Sequence, residues 1–363
     1  MGNVQEAFHG SDLEVIAKRY QIEKDSIIPY ASNVNPLGIS PMARQALIDN
    51  IDAIKAYPDR DYISLKSRIS KYCGADMQHL ILGNGTSDLI RLILETVSPA
   101  KTMIIGPTYA EYARTARLVG SEIETYMLKN EDDFTLDVDM FLKALNESFE
   151  LLIICNPNNP TGQALTIEQI EKILKRCIEL NIFVMIDETY VEFVKDVNAV
   201  SSISLTKKYI NFIVLRGVSK FFAAPGIRFG YAITSNRQLL EATSNGKIPW
   251  NINTYASVAG VMFEDEHYIN LTRSLIQTER NLIFSALSSR KTIKVFKPAA
   301  NFVLIKLLKE DLTAADVFEY CIKKGFMIRD CTDYEGLGEK YIRFCFMKPE
   351  QNDNVVNTIL EIV

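Results

Sequence analysis

Histidine is scarce in this chain: His9, His79 and His267 are the three copies in 363 residues, and they lie far apart. A histidine-built metal centre has little material, so the expectation is a protein without a metal site. Cysteine is thinly spread. Cys73, Cys155, Cys177, Cys321, Cys331 and Cys345 form no C-x-x-C pair and read as reduced thiols that mostly fill core. A surplus of basic charge is missing too. With a formal net charge of −5, nothing draws the chain to nucleic acid or to an anionic lipid surface. No apolar run approaches a membrane span, and "MGNVQEAFHGSDLEV" lacks the basic-then-apolar order of a secretion signal. Met1-Gly2 opens like a myristoylation signal, but Glu6 stands where Ser or Thr belongs. The expectation is a cytoplasmic protein. Internal repeats, low-complexity tracts and flexible linkers are also lacking.

What is present is ordinary globular material, 47% hydrophobic and 23% charged, long enough for about two domains. The middle of the chain alternates short apolar runs with amphipathic helical patterns. That rhythm predicts an α/β fold with a doubly wound, mainly parallel sheet. The runs at 151–155, 182–187 and 212–216 read as buried strands. Between the first two, Thr166 and Gln169 make a capping box ahead of Ile170, Ile173, Leu174 and Cys177 at helical spacing. Another helix is expected from Thr86, with Leu89, Ile90, Ile93, Leu94 and Val97 on one face. In the last third, 301–307 reads as a strand and 313–325 as a helix with a Thr313/Asp316 cap and a glycine stop. "FMIR" (326–329) and "YIRFCF" (341–346) read as two further strands. The expected division is an N-terminal arm (1–45) joining the smaller domain, a large domain (46–255) and a small α+β domain (256–363).

Four loops follow predicted strands. "LGNGTSDLI" (82–90) opens a helix behind a glycine turn, a geometry that offers backbone N–H groups to an anion. Asp88 stands where a dinucleotide fingerprint needs its third glycine, and no G-K-[ST] follows. By itself the segment is either a phosphate cradle or a plain strand–turn–helix. "NPNNPTG" (156–162) is either an irregular turn or a turn that presents the Asn159 amide to a ligand. "MIDETYVEF" (185–193) ends a strand on Asp187, a costly carboxylate unless a cation or donor meets it; capping the next turn is the plainer use. "VSKFFAAPGIRFG" (218–230) places Lys220 in mostly apolar surroundings, with Arg228 eight residues on. A snorkelling surface lysine would account for the first of these. In a doubly wound sheet such loops converge on one edge. A planar, phosphorylated, nitrogen-containing aldehyde would use the cradle, the amide, the carboxylate with its neighbouring phenol, and the amine. Pyridoxal 5′-phosphate is such a molecule.

"NPNNPTG", "DETY" and "SKFFAAPGIRFGY", in that order, resemble the signature of fold-type I pyridoxal-phosphate enzymes of the aminotransferase class, nearly end to end. The resemblance implies that Lys220 binds the cofactor aldehyde, Asp187 pairs with the ring nitrogen, and Asn159 and Tyr190 hold the ring hydroxyl. It implies that Tyr109 stacks on the ring and that Gly85, Thr86, Ser219 and Arg228 hold the phosphate. Arg343 matches the family's carboxylate-binding arginine, and Tyr57 is expected to reach across a homodimer into the partner's site. Gly217 departs from the pattern, because the family commonly has Ser or Thr there. Within the family, "FHGSD", "SNVNPLG", "IPWNIN" and "IRDCTDYEGL" are similar to threonine-phosphate decarboxylases, which make an aminopropanol phosphate for the cobalamin side chain. Histidinol-phosphate aminotransferases are the next resemblance. Both act on small phosphorylated amines, which implies a second anion site from His9, Asn33, Arg329 and Arg343. His9 is equally readable as an ordinary surface residue near the terminus. Aminotransferase-like domains also serve as silent effector-binding modules. The joint presence of Lys220, Asp187, Tyr190 and Arg228 argues against that reading here.

Overall fold

The computed structural model describes residues 12–246 and 248–363; His9 lies outside the described residues. Seven strands form the larger sheet: β1 (Leu80–Gly83), β2 (Lys101–Gly106), β3 (Glu122–Met127), β4 (Leu151–Cys155), β5 (Phe183–Asp187), β6 (Phe212–Gly217) and β7 (Gly230–Ile233). Their spatial order is β1-β7-β6-β5-β4-β2-β3. Every pairing is parallel except those of β7, which runs antiparallel to β1 on one side and β6 on the other. Strands β1, β4 and β6 are buried along their whole length, as expected where helices cover both faces of a parallel sheet.

The covering helices form as their spacing requires. Helix Thr86–Val97 turns Leu89, Ile90, Ile93 and Leu94 inward. Helix Ile167–Glu179 starts from the Thr166/Gln169 capping box and buries Ile170, Ile173, Leu174 and Cys177. Five of the six cysteines are buried and all six are free.

Beyond the 23-residue helix Glu266–Ser288 lies a second sheet of β8 (Ile293–Val295), β9 (Phe302–Leu307), β10 (Arg329–Asp330) and β11 (Tyr341–Cys345), ordered β10-β11-β9-β8 and antiparallel throughout. Helix Ala314–Lys323 carries the Thr313/Asp316 capping box, and Gly325 behind it has φ +85°. One expectation needs correcting. "FMIR" is not a strand over its length, for only Arg329 joins Asp330 in β10. Residues 326–327 instead pair with the N-terminal segment, through an Ile28–Phe326 bridge and an Ala31 N–H to Met327 carbonyl bond of 2.8 Å. That segment also receives the Cys345 N–H on the Tyr30 carbonyl and gives the Asn35 N–H to the Lys220 carbonyl. Residues 28–35 thereby stitch the second sheet to the loop that carries Lys220.

Candidate active site

The carboxyl ends of β1, β2, β4, β5 and β6 open onto a cleft of about 410 Å³. Parallel sheets bind ligands at this edge. Thr86, Tyr109, Asn159, Asp187, Tyr190, Ser219, Lys220 and Arg228 all line it, together with Asn33, Arg329 and Arg343. Gly85 adjoins the cleft as the residue capping helix Thr86–Val97. Tyr57 does not line it and is 81% exposed. A larger groove of about 990 Å³, over Arg216 and helix Glu266–Ser288, holds none of these residues.

Asp187 and Lys220 come from adjacent parallel strands, one closing β5 and the other following β6. The Asp187 carboxylate accepts from the Thr189 N–H (2.9 Å) and hydroxyl (2.5 Å) on Oδ1 and from the Tyr112 hydroxyl (2.7 Å) on Oδ2. Burial raises its pKa, and the Thr189 and Tyr112 donors work against that rise. Lys220 Nζ donates to the Ser32 carbonyl at 2.6 Å. Its pKa is pulled down to about 8, first by burial and then by the Arg343 charge. A sizeable neutral fraction is therefore available for nucleophilic or base work in mildly alkaline solution.

Three glycines shape the anion end. Gly85 has φ +92°, and a Cβ there would lie 2.5 Å from Arg228 Nη2, so its bareness lets the guanidinium lie over the turn. At Gly230 a Cβ would come within 3.0 Å of the Thr86 nitrogen. Gly217, where the family pattern has a hydroxyl residue, would put its Cβ 3.0 Å from Thr86 Cγ2. The Thr86 side chain already occupies that space.

Arg343, on β11, is buried with neutral partners. It donates to Asn159 Oδ1, the Tyr334 hydroxyl (3.1 Å) and the Ala31 carbonyl (2.9 Å). Its Nε is buried with no partner among the described residues. Tyr334 also donates to Asn159 Oδ1 at 3.2 Å, and Asn33 Nδ2 donates to the Tyr190 hydroxyl at 3.3 Å. Arg329 stands directly opposite Arg343 in the β10–β11 register, so both side chains share one sheet face.

Several residues here escaped sequence reasoning. Tyr112 is one; its position in the first turn of helix Glu111–Leu118, three residues past Tyr109, was the available signal. Asp333 and Tyr334 are two more. The last is Arg216, buried beneath the loops and bonded to Glu188 at 2.9 Å and to the Ser201 hydroxyl at 2.7 Å, with Glu192 at 3.5 Å.

These groups fit pyridoxal 5′-phosphate. A buried, well-held carboxylate suits a protonated ring nitrogen, and the glycine turn under Arg228 suits a phosphate. Lys220 supplies the amine and Tyr109 an aromatic face.

The chain matches the family model for class I and II aminotransferases over residues 25–359. It is similar to the threonine-phosphate decarboxylase of Salmonella typhimurium, 30% identical over 356 residues, covering 98% of this chain and 96% of that one. It is also similar to the histidinol-phosphate aminotransferase of Methanosphaera stadtmanae, 32% identical over 358 residues, with 98% and 95% covered. The crystal structure of histidinol-phosphate aminotransferase from Clostridium acetobutylicum superposes with a TM-score of 0.85 at 31% identity, covering 92% of this chain and 98% of that chain.

Proposed function

We propose that this chain, which belongs to the class I and II aminotransferase family, removes the carboxylate of a small phosphorylated amino acid, L-threonine O-3-phosphate foremost. It is a pyridoxal 5′-phosphate-dependent enzyme. The observation that carries the substrate reading is the pair of guanidiniums facing each other across β10 and β11, lining the same cleft as Lys220 and Asp187. A substrate bearing both a carboxylate and a phosphate has a cationic partner for each. The Salmonella relative bears the name of that activity.

When bound, the cofactor supplies an electron sink for the carbon that carries the substrate's amine. Asp187, which accepts hydrogen bonds from Tyr112 and Thr189, would hold a proton on the ring nitrogen. Arg228, Ser219, Thr86 and the Gly85 turn would hold the cofactor phosphate, Tyr109 would cover its ring, and Asn159 and Tyr190 would hold the ring hydroxyl. Arg343 and Arg329 would hold the substrate's carboxylate and phosphate and so orient the Cα–carboxylate bond for cleavage. That bond breaks, CO2 departs, and Lys220 Nζ delivers a proton to the α-carbon. The product, an aminopropanol phosphate, would serve cobalamin side-chain synthesis in the cytoplasm.

A homodimer is part of this reading. Tyr57 packs against Trp250 with ring centroids 4.9 Å apart, beside the exposed Ile51, Ile54 and Ile248. A second copy covering this apolar surface would receive Tyr57 at its own cleft.

A second reading is favoured by the Methanosphaera and Clostridium relatives. In it Lys220 removes the α-proton instead, and the amine passes to a keto acid such as 2-oxoglutarate. One assay separates the two. Purified holoprotein given O-phospho-L-threonine should release CO2 with no keto acid present. Keto-acid-dependent amino transfer from L-histidinol phosphate, without CO2 from O-phospho-L-threonine, would replace the first reading by the second.

A further inference from the structure

The two cleft guanidiniums are not equivalent. Arg343 meets only neutral acceptors among its hydrogen-bond partners. Arg329 meets a carboxylate: its Nη2 donates to both Asp333 oxygens, at 2.7 and 2.6 Å. The local chain makes this meeting. Asp330 Oδ1 accepts from the Thr332 N–H and hydroxyl, and the Tyr334 N–H bonds the Cys331 carbonyl. The resulting turn folds Asp333 back onto Arg329 four residues earlier. Tyr334 covers the same guanidinium, with its ring centroid 5.4 Å from Arg329 Cζ. Asp333 itself lines the cleft, with its side chain 35% exposed against 12% for Arg329.

Like charges directly opposite each other in an antiparallel pair repel. Arg329 and Arg343 therefore call for anions, and Asp333 supplies one from within the chain. We infer that Asp333 is a specificity-determining residue: it occupies Arg329 in the substrate-free enzyme and yields it to a phosphate dianion but not to a monoanion. Being tethered four residues away, Asp333 competes at a high effective concentration. A free carboxylate brings the same charge and the same two oxygens, so it gains nothing in exchange. A phosphate dianion brings a second charge and a third acceptor oxygen. Once displaced, the partly exposed Asp333 has solvent to turn into.

This inference rests on the reading that a substrate phosphate reaches Arg329. The test titrates holoprotein with inorganic phosphate, O-phospho-L-threonine and L-threonine by calorimetry, at a pH where the phosphates are dianionic. Removing the competitor with Asp333→Asn should tighten both phosphate ligands by about fivefold, equivalent to about 1 kcal/mol, and leave L-threonine unchanged. Asp333→Ser should do the same, and Asp333→Glu should return the affinities toward the starting values. Adding Arg329→Gln should erase the gain, since the effect runs through that guanidinium. Unchanged or weaker phosphate binding in both Asp333→Asn and Asp333→Ser would overturn the inference and leave Asp333 as a residue that merely orients Arg329. An equal gain for L-threonine would overturn it too, as a general charge effect. Failure of O-phospho-L-threonine to release CO2 would remove the substrate assignment alone, because the inorganic phosphate comparison stands apart from turnover.

Discussion

Asp187 lies inside the protein, where burial favours the neutral carboxyl. Three hydrogen bonds oppose this, and among the described residues the Tyr112 hydroxyl is the one donor to Oδ2. Tyr112→Phe deletes that donor without opening a cavity. A hydrogen bond to a charged group is worth about 1.5–3 kcal/mol, so the variant should bind pyridoxal 5′-phosphate roughly tenfold or more weakly. The sign with pH follows. Losing a donor raises the Asp187 pKa, so the carboxylate is protonated at a higher pH on the way down. Affinity in Tyr112→Phe should then begin to fall at a higher pH than in the unaltered protein, which a series of cofactor titrations would check. Coincident pH profiles would show that Tyr112 does not hold the carboxylate. This residue was hard to find from sequence because its partner lies 75 positions away, and Tyr109 nearby already explained the motif. Lys220, Asp187 and Arg228 were legible because each interrupts an apolar or glycine-rich stretch where its charge needs a reason.

At the scale of elements, strands β4, β5 and β6 were readable because burial on both faces demands continuous apolar runs. Strands β7 and β10 were not, because β7 follows directly on the Arg228 turn and β10 is two residues long, too short for a period to show. Their partners define them. The loops after β5 and β6 are held in register by a buried ion network that sequence did not reveal: Arg216 at the end of β6 bonds Glu188 just past β5 and approaches Glu192. These are the loops that carry Asp187, Tyr190, Ser219 and Lys220. Replacing one partner of a buried pair strands the other charge, at a cost of about 3–5 kcal/mol. Arg216→Met should lower the unfolding free energy by about that amount in denaturant titrations. A change within 1 kcal/mol or so would mean that the carboxylates are already relieved by solvent or by protonation, the latter in keeping with the Glu192 pKa pushed up to about 6 by burial.

At the scale of the whole molecule, Ile54, Tyr57 and Trp250 line one open groove and are exposed, as are Ile51 and Ile248, apolar surface of the kind that marks an interface. Ile54 is 65% exposed, so Ile54→Glu leaves the folded monomer unstrained while placing a charge in any interface formed there. Sedimentation should find the unaltered chain as a dimer and Ile54→Glu shifted toward monomer, with lower activity if Tyr57 serves the partner's cleft. A dimer that survives the substitution would move the interface elsewhere. The sequence resemblance offered only Tyr57 at an interface, since the exposure of its apolar neighbours belongs to the folded surface.

The tie between the two sheets was invisible in one dimension, with Arg343 and Ala31 separated by 312 positions. Ala31 offers its carbonyl to Arg343, Ser32 offers its carbonyl to Lys220, and Asn33 reaches Tyr190. Three consecutive residues thus touch Arg343, Lys220 and Tyr190, the proposed anchor, amine and cofactor-side phenol, in turn. The gauge between anchor and amine is cut into a single peptide step of about 3.8 Å, like adjacent teeth on one rack. If one sheet rocks slightly over the other, the rack travels with both groups, and their offset stays what the backbone made it.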